Sequence, residues 1–226
     1  MILRTYEQAC KAKTLDLVIV ATDDERIADA CRKAGATVVM TDPDCANGTE
    51  RCEEAVSKLE QHFDIVINIQ GDEPLIDPAT IDAVVTALQD SPDAVYSTAC
   101  TPLPDDEVPL RQRVKCVADQ QGYAIYFSRG VIPHNKDGLV RRYPMPFEDL
   151  PYLLHLGLQC YDRAFLTRYC KMPPTPLMLM EDLEQLKVLE NGYRMKVVVV
   201  EHSAHGVDLP EDVASLEAIM RAPGLQ

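Results

Sequence analysis

The 226 residues suffice for one large domain or two small ones with a sizeable core, and 46% apolar with 26% charged residues is ordinary for a folded protein. A formal net charge of −14 argues against non-specific binding to nucleic acid or to an anionic membrane, because both need a cationic face. No apolar run approaches the roughly 20 residues of a membrane span, so no integral membrane segment is expected.

In chain order, residues 15–22 (LDLVIVAT) form an apolar run that ends on Thr22-Asp23. A helix is predicted over 24–34, stopped by Gly35. A short strand follows at 37–41, then a helix over 49–62 with apolar residues at Cys52, Ala55, Val56 and Leu59. A strand at 63–69 climbs to Gln70-Gly71-Asp72-Glu73-Pro74, and a helix at 78–88 opens on proline. This strand–helix rhythm predicts an α/β fold with a mostly parallel, Rossmann-like sheet. The strands are rich in Val and Ile on both parities, so both sheet faces are buried. Ligands bind such sheets outside the carboxyl ends of the strands, where Thr22-Asp23 and Gln70-Gly71-Asp72 lie.

The second half is mixed in character. A strand at 94–101 precedes a β-hairpin, 113–118 and 123–127, around the turn signal Asp119-Gln-Gln-Gly122. A Pro/Arg-rich connection over 132–151 reads as a dimer arm or lid, within a hairpin and arm region spanning 113–161. A strand at 152–161, a helix at 162–171, a longer helix from PPTP through Glu190, a strand at 195–201 and a closing helix at 211–220 complete the pattern. The eight cysteines form no CxxC pair, which suits dispersed reduced thiols.

Several residues could carry chemistry. Asp72 at a strand tip is either a turn cap or a ligand to a divalent cation that relieves its desolvation. Gly71 lets the backbone approach a ligand closely. Asp208, in GVDLPED, is a helix N-cap or a second metal carboxylate on the same rim. Asn47-Gly-Thr-Glu-Arg51 is a polar turn whose N–H groups suit a base edge or an anion, and Thr49 with Cys52 does not make a capping box. Lys115, Arg129 and His155 lie in or beside strands and are either satisfied structural residues or site residues. Glu181 and Gln185, four apart on the predicted long helix, share a face that is either solvated or lines a pocket.

The motifs NGTER (47–51), INIQGDEPLI (67–76), YAIYFSR (123–129), LLHLGLQCY (153–161), EDLEQLKVLENG (181–192) and HGVDLPEDV (205–213) resemble, in this order, the 3-deoxy-manno-octulosonate cytidylyltransferase family, and its plant and algal branch most. The resemblance implies a single nucleotidyltransferase domain over 1–226. It also implies Mg²⁺-dependent reaction of CTP with 3-deoxy-manno-octulosonate (Kdo) to give CMP-Kdo and pyrophosphate, in a homodimer. Asp72 and Asp208 would be the catalytic metal ligands. Arg51 and Gln70 would serve the nucleotide and sugar pocket, and Arg129, His155, Glu181 and Gln185 the Kdo side. Gln159 departs from a tyrosine common in bacterial members.

The family's first β-strand and its Arg/Lys phosphate loop have no counterpart before Met1. The chain is therefore expected to lack the first, central strand, to leave strand edges facing a gap, and to make little CMP-Kdo alone. Two alternatives stand beside the enzyme: a non-catalytic truncated isoform or paralogue that pairs with full-length subunits, and a different sugar or isoprenoid nucleotidyltransferase. The compartment is open, cytoplasmic by default and organellar if a targeting segment lies upstream.

Overall fold

A computed structural model describes residues 1–136, 138 and 152–201. Most of the connection read at 132–151, Asp208 and the helix read at 211–220 lie outside the described residues. The elements run α1 (Ile2–Ala9), β1 (Val20–Thr22), α2 (Glu25–Lys33), β2 (Val38–Met40), α3 (Gly48–Ser57), β3 (Ile65–Ile69), α4 (Pro78–Gln89), β4 (Ala94–Pro102), β5 (Lys115–Ala118), β6 (Ala124–Ser128), β7 (Leu153–Asp162), α5 (Arg163–Lys171), α6 (Pro176–Glu181), α7 (Leu186–Glu190) and β8 (Arg194–Val199). The α/β class with a mixed second half is as expected. The chain divides into two compact units, one built on Met1–Leu59 and Ile69–Asp82, the other on Glu60–Asn68 and 83–201.

In the first unit β1 and β2 pair in parallel, Val20 opposite Val38 and Thr22 opposite Met40. Only the last three residues of the run at 15–22 join this ladder. The loop before it is held elsewhere, because the Asp82 carboxylate accepts the backbone N–H groups of Lys13 and Thr14 at 2.8 Å each. Asp24 caps α2 by accepting the Arg26 N–H, and Arg32 and Lys33 in the last turn complement the helix dipole. Val20, Cys31 and Ala36 form the core, with Ile2, Leu3, Tyr6 and Val38 against them.

The second unit holds a six-stranded sheet ordered β6-β5-β7-β4-β8, with β3 also paired to β7. The β4–β8 pair is parallel, whereas β4–β7, β5–β6 and β5–β7 are antiparallel. An isolated bridge between Tyr123 and Lys196 joins the two ends of that order. The β5–β6 hairpin turns where its sequence predicts. Asp119 Oδ1 accepts the N–H groups of Gln121 and Tyr123, and Gly122 takes a φ of +77°. Tyr96, Tyr161 and Tyr169 lie at the centre of this unit, the first two edge to face at 4.7 Å.

The long helix predicted through Glu190 is two short ones. Asp182, at φ 52° and ψ 53°, is left-handed and ends α6. The shared helical face for Glu181 and Gln185 is therefore wrong, since helical spacing does not cross that residue. An aspartate tolerates this conformation better than most residues but still less well than glycine. Asp182→Gly is expected to unfold within about 0.5 kcal/mol of the parent or above it. Asp182→Val should cost about 1–2 kcal/mol. Chemical denaturation checks both, and a continuous helix would instead make the glycine variant the poorer by about 1 kcal/mol.

Candidate active site

β3 runs out at Ile69, and in the first unit Gln70 follows half-buried and Asp72 exposed. The desolvation expected for Asp72 is absent, because the chain turns outward at Gly71-Asp72 before Pro74 is buried again. Among the described residues neither the Gln70 amide nor the Asp72 carboxylate has a protein partner. A Cβ at Gly71 would stand 2.9 Å from Ile2 Cδ1, the movable end of that side chain, and the Gly71 carbonyl accepts the Thr5 hydroxyl at 3.1 Å.

Arg51 lies on the first turn of α3 and reaches the carboxyl ends of both parallel strands. Its Nη1 donates to Thr41 Oγ1 at 2.5 Å and stands 3.4 Å from Asp23 Oδ1. The 47–51 turn caps α3 from both sides, in a register offset from the Thr49–Cys52 one. Asn47 Oδ1 accepts the Glu50 N–H, and Glu50 Oε2 reaches back to the Ala46 N–H, both at 2.9 Å. One of the N–H groups assigned to a ligand is thus already used by Asn47.

In the second unit β7 carries His155 past an irregularity in its ladder with β4. Thr98 faces Gln159, yet Cys100 faces His155, so β7 spends two more residues than β4 between these points. This bulge at Leu156-Gly157-Leu158 turns the His155 ring toward Thr98. His155 Nε2 lies 2.9 Å from Thr98 Oγ1, and Nδ1 lies 3.4 Å from Gln185 Nε2. Thr98 donates its own proton to the Leu158 carbonyl at 2.6 Å. Thr98 therefore accepts from Nε2–H, and Nδ1 accepts from the Gln185 amide. Phe127 packs edge to face on the ring at 4.9 Å. Burial drives the imidazole pKa down to about 4, so the ring is neutral at physiological pH.

Arg129 and Glu181 pair separately. The Glu181 carboxylate accepts the Ser128 hydroxyl at 2.6 Å and the Arg129 N–H at 2.9 Å. Arg129 Nε and Nη2 donate to the carbonyls of Glu181 and Asp182 at 2.7 and 3.1 Å. Together they clasp the end of β6 to the end of α6. Lys115 is structural. It is fully buried, and its ammonium donates to the carbonyls of Leu110, Arg113 and Arg129 at 3.0, 2.6 and 2.7 Å. Gln159 is buried, with Nε2 on Glu184 Oε1 at 2.8 Å and Oε1 receiving Tyr161 Oη at 3.1 Å and Asn68 Nδ2 at 3.4 Å. Sequence reasoning missed Thr98, Asn68 and Glu184, whose roles depend on strand register. The described residues hold no group of three or more His, Cys, Asp or Glu side chains able to hold a metal, and Asp208 lies outside them.

A cytidylyltransferase family model matches residues 1–198. The chain belongs to the cytidylyltransferase family. Its relatives include a mitochondrial 3-deoxy-manno-octulosonate cytidylyltransferase of Arabidopsis thaliana, 59% identical over 98% of this chain and 74% of that protein. A 3-deoxy-manno-octulosonate cytidylyltransferase of Zea mays is also 59% identical, over 100% of this chain and 74% of its own length. Among solved structures, a CMP:2-keto-3-deoxy-manno-octonic acid synthetase complexed with CTP superposes with a TM-score of 0.86 at 33% identity, covering 97% of this chain and 86% of that one. In the first unit Arg51 on α3 reaches the strand-end residues Asp23 and Thr41, and Gln70 and Asp72 follow the end of β3. No helix of the described residues is long and apolar enough to cross a membrane.

Proposed function

We propose that this chain transfers the cytidylyl group of CTP to Kdo, releasing pyrophosphate. The observation that carries the reading is identity of 59% over 98% of the chain to a relative named for that reaction. A sugar hydroxyl attacks the α-phosphorus, the new O–P bond forms, the bond to the β-phosphate oxygen breaks, and the hydroxyl proton passes to solvent. Catalysis of this kind is positioning plus charge neutralisation.

The donor chemistry fits Mg²⁺, which takes one or two carboxylates and completes its shell with water and phosphate oxygens. Asp72 offers an exposed carboxylate at a strand end, and Asp72 with Asp208 would hold the ion. Bound there, Mg²⁺ supplies positive charge against the triphosphate. Gln70, whose amide has no partner among the described residues, and Arg51 serve the nucleotide. His155, Gln185, Arg129 and Glu181 serve the sugar. Since the imidazole is neutral, Arg129 is the cation of this group available to the Kdo carboxylate. A homodimer belongs to the same reading, and so does an organellar compartment, by likeness to the Arabidopsis protein. Light scattering that gave a monomer mass would remove the dimer.

Pyrophosphate release from CTP and Kdo with Mg²⁺ tests the activity, and release from CTP with unrelated sugar acids at an equal rate would overturn the substrate. Within that assay His155→Ala should raise the KM for Kdo roughly tenfold, by freeing the Gln185 amide that the ring holds in place, and the KM for CTP little. The opposite order would take His155 out of the sugar side.

A further inference from the structure

Two residues of β7 are gripped by two successive residues of the turn that follows α6. Gln159 holds Glu184 through a 2.8 Å side-chain bond, and His155 meets Gln185 at 3.4 Å. The left-handed Asp182 reverses the chain so that both neighbours can turn toward the strand. Residue 184 is also pinned through its backbone, since its carbonyl accepts the Tyr169 hydroxyl at 3.0 Å. Gln159 is only 5% exposed, and its amide makes bonds at both ends, to Glu184 on one side and to Asn68 and Tyr161 on the other. A buried amide bonded at both ends defines one geometry, because breaking either end leaves an unpaired polar group in the interior.

We propose that Gln159 is a positioning residue for the His155–Gln185 pair. By clamping Glu184 it sets where Gln185 begins α7, and thereby the hydrogen bond that the Gln185 amide donates to His155 Nδ1. The proposal rests on the sugar-side reading of His155 and Gln185 for its effect on turnover, but the positioning link does not depend on that reading.

The test is Gln159→Met, which keeps the volume and removes both ends of the clamp, with Glu184→Met as the partner variant. Glu184→Gln is the conservative control, since its amide oxygen still accepts from Gln159. Ring ¹⁵N shifts of His155 report the hydrogen bond at Nδ1, and steady-state kinetics report the KM values. In Gln159→Met and Glu184→Met the Nδ1 shift should move toward that of an imidazole nitrogen without a donor, Nε2–H should stay protonated through Thr98, and the KM for Kdo should rise about tenfold with that for CTP unchanged. In Glu184→Gln the ring should keep the parent shifts. Parent ring shifts in both methionine variants would overturn the proposal. A changed Nδ1 shift with an unchanged KM for Kdo would uphold the positioning link and overturn the sugar-side reading instead. Should Gln159→Met fail to fold, the contrast between Glu184→Met and Glu184→Gln carries the same decision.

Discussion

Asp72→Asn is expected to lower pyrophosphate release by about 1,000-fold, the scale of losing a group that stabilises transition-state charge. Its thermal midpoint should not move. The two halves of this expectation come from one observation, because Asp72 is exposed and has no protein partner among the described residues. Exposed substitutions away from caps and networks usually change stability by no more than about 0.5 kcal/mol. Asparagine keeps the size and one oxygen but not the charge, so a fall in turnover would measure what the carboxylate does for a ligand. Added Mg²⁺ should recover part of the loss if the carboxylate binds the ion, and none if Asp72 only shapes the turn. A variant that unfolds early, or that turns over like the parent, would return Asp72 to the role of a turn residue.

The α/β class was legible because strand and helix periods are local. Asp24 before an amphipathic stretch and Gly35 after it define α2 without tertiary help. The β5–β6 turn was legible for the same reason, since Asp119 and Gly122 set its conformation themselves. The break at Asp182 was not legible. Its neighbours are good helix formers, and what stabilises the reversal is distant in sequence: Ser128 and Arg129 on Glu181, Gln159 on Glu184. The β7 bulge was equally hidden, because a two-residue slip against β4 exists only once the two strands are paired. That slip decides which group His155 meets, so the residue could be singled out by sequence and its partner Thr98 could not.

Acid should erode the stability of the parent between about pH 6.5 and pH 4 more steeply than that of His155→Asn. An unfolded imidazole titrates near 6.5, whereas in the folded chain burial holds this one down to about 4. Above pH 6.5 both states are neutral and the ring contributes its full share. As the pH falls below that value the unfolded chain takes up a proton that the folded chain refuses. Stability then drops at up to about 1.4 kcal/mol per pH unit until the folded ring is protonated as well, a total on the order of 3 kcal/mol. Two well-held carboxylates also lose their stabilisation in the acid part of this window, but equally in both proteins, so they cancel in the difference. Arg26 keeps Asp24 near 2, and Lys58, with Cys45 and the Asp42 N–H, keeps Glu54 near 2. The remaining acids titrate alike in both proteins, so the difference between variant and parent isolates the ring. Urea midpoints at pH 7.5, 6.5, 5.5 and 4.5 are the measurement, with the two curves diverging only in the acid half. Curves that stay parallel throughout would mean that His155 takes up its proton in the folded state as readily as in the unfolded one. The Gln185–His155–Thr98 chain of hydrogen bonds would then not hold the ring neutral, because a protonated Nδ1 cannot accept from the Gln185 amide.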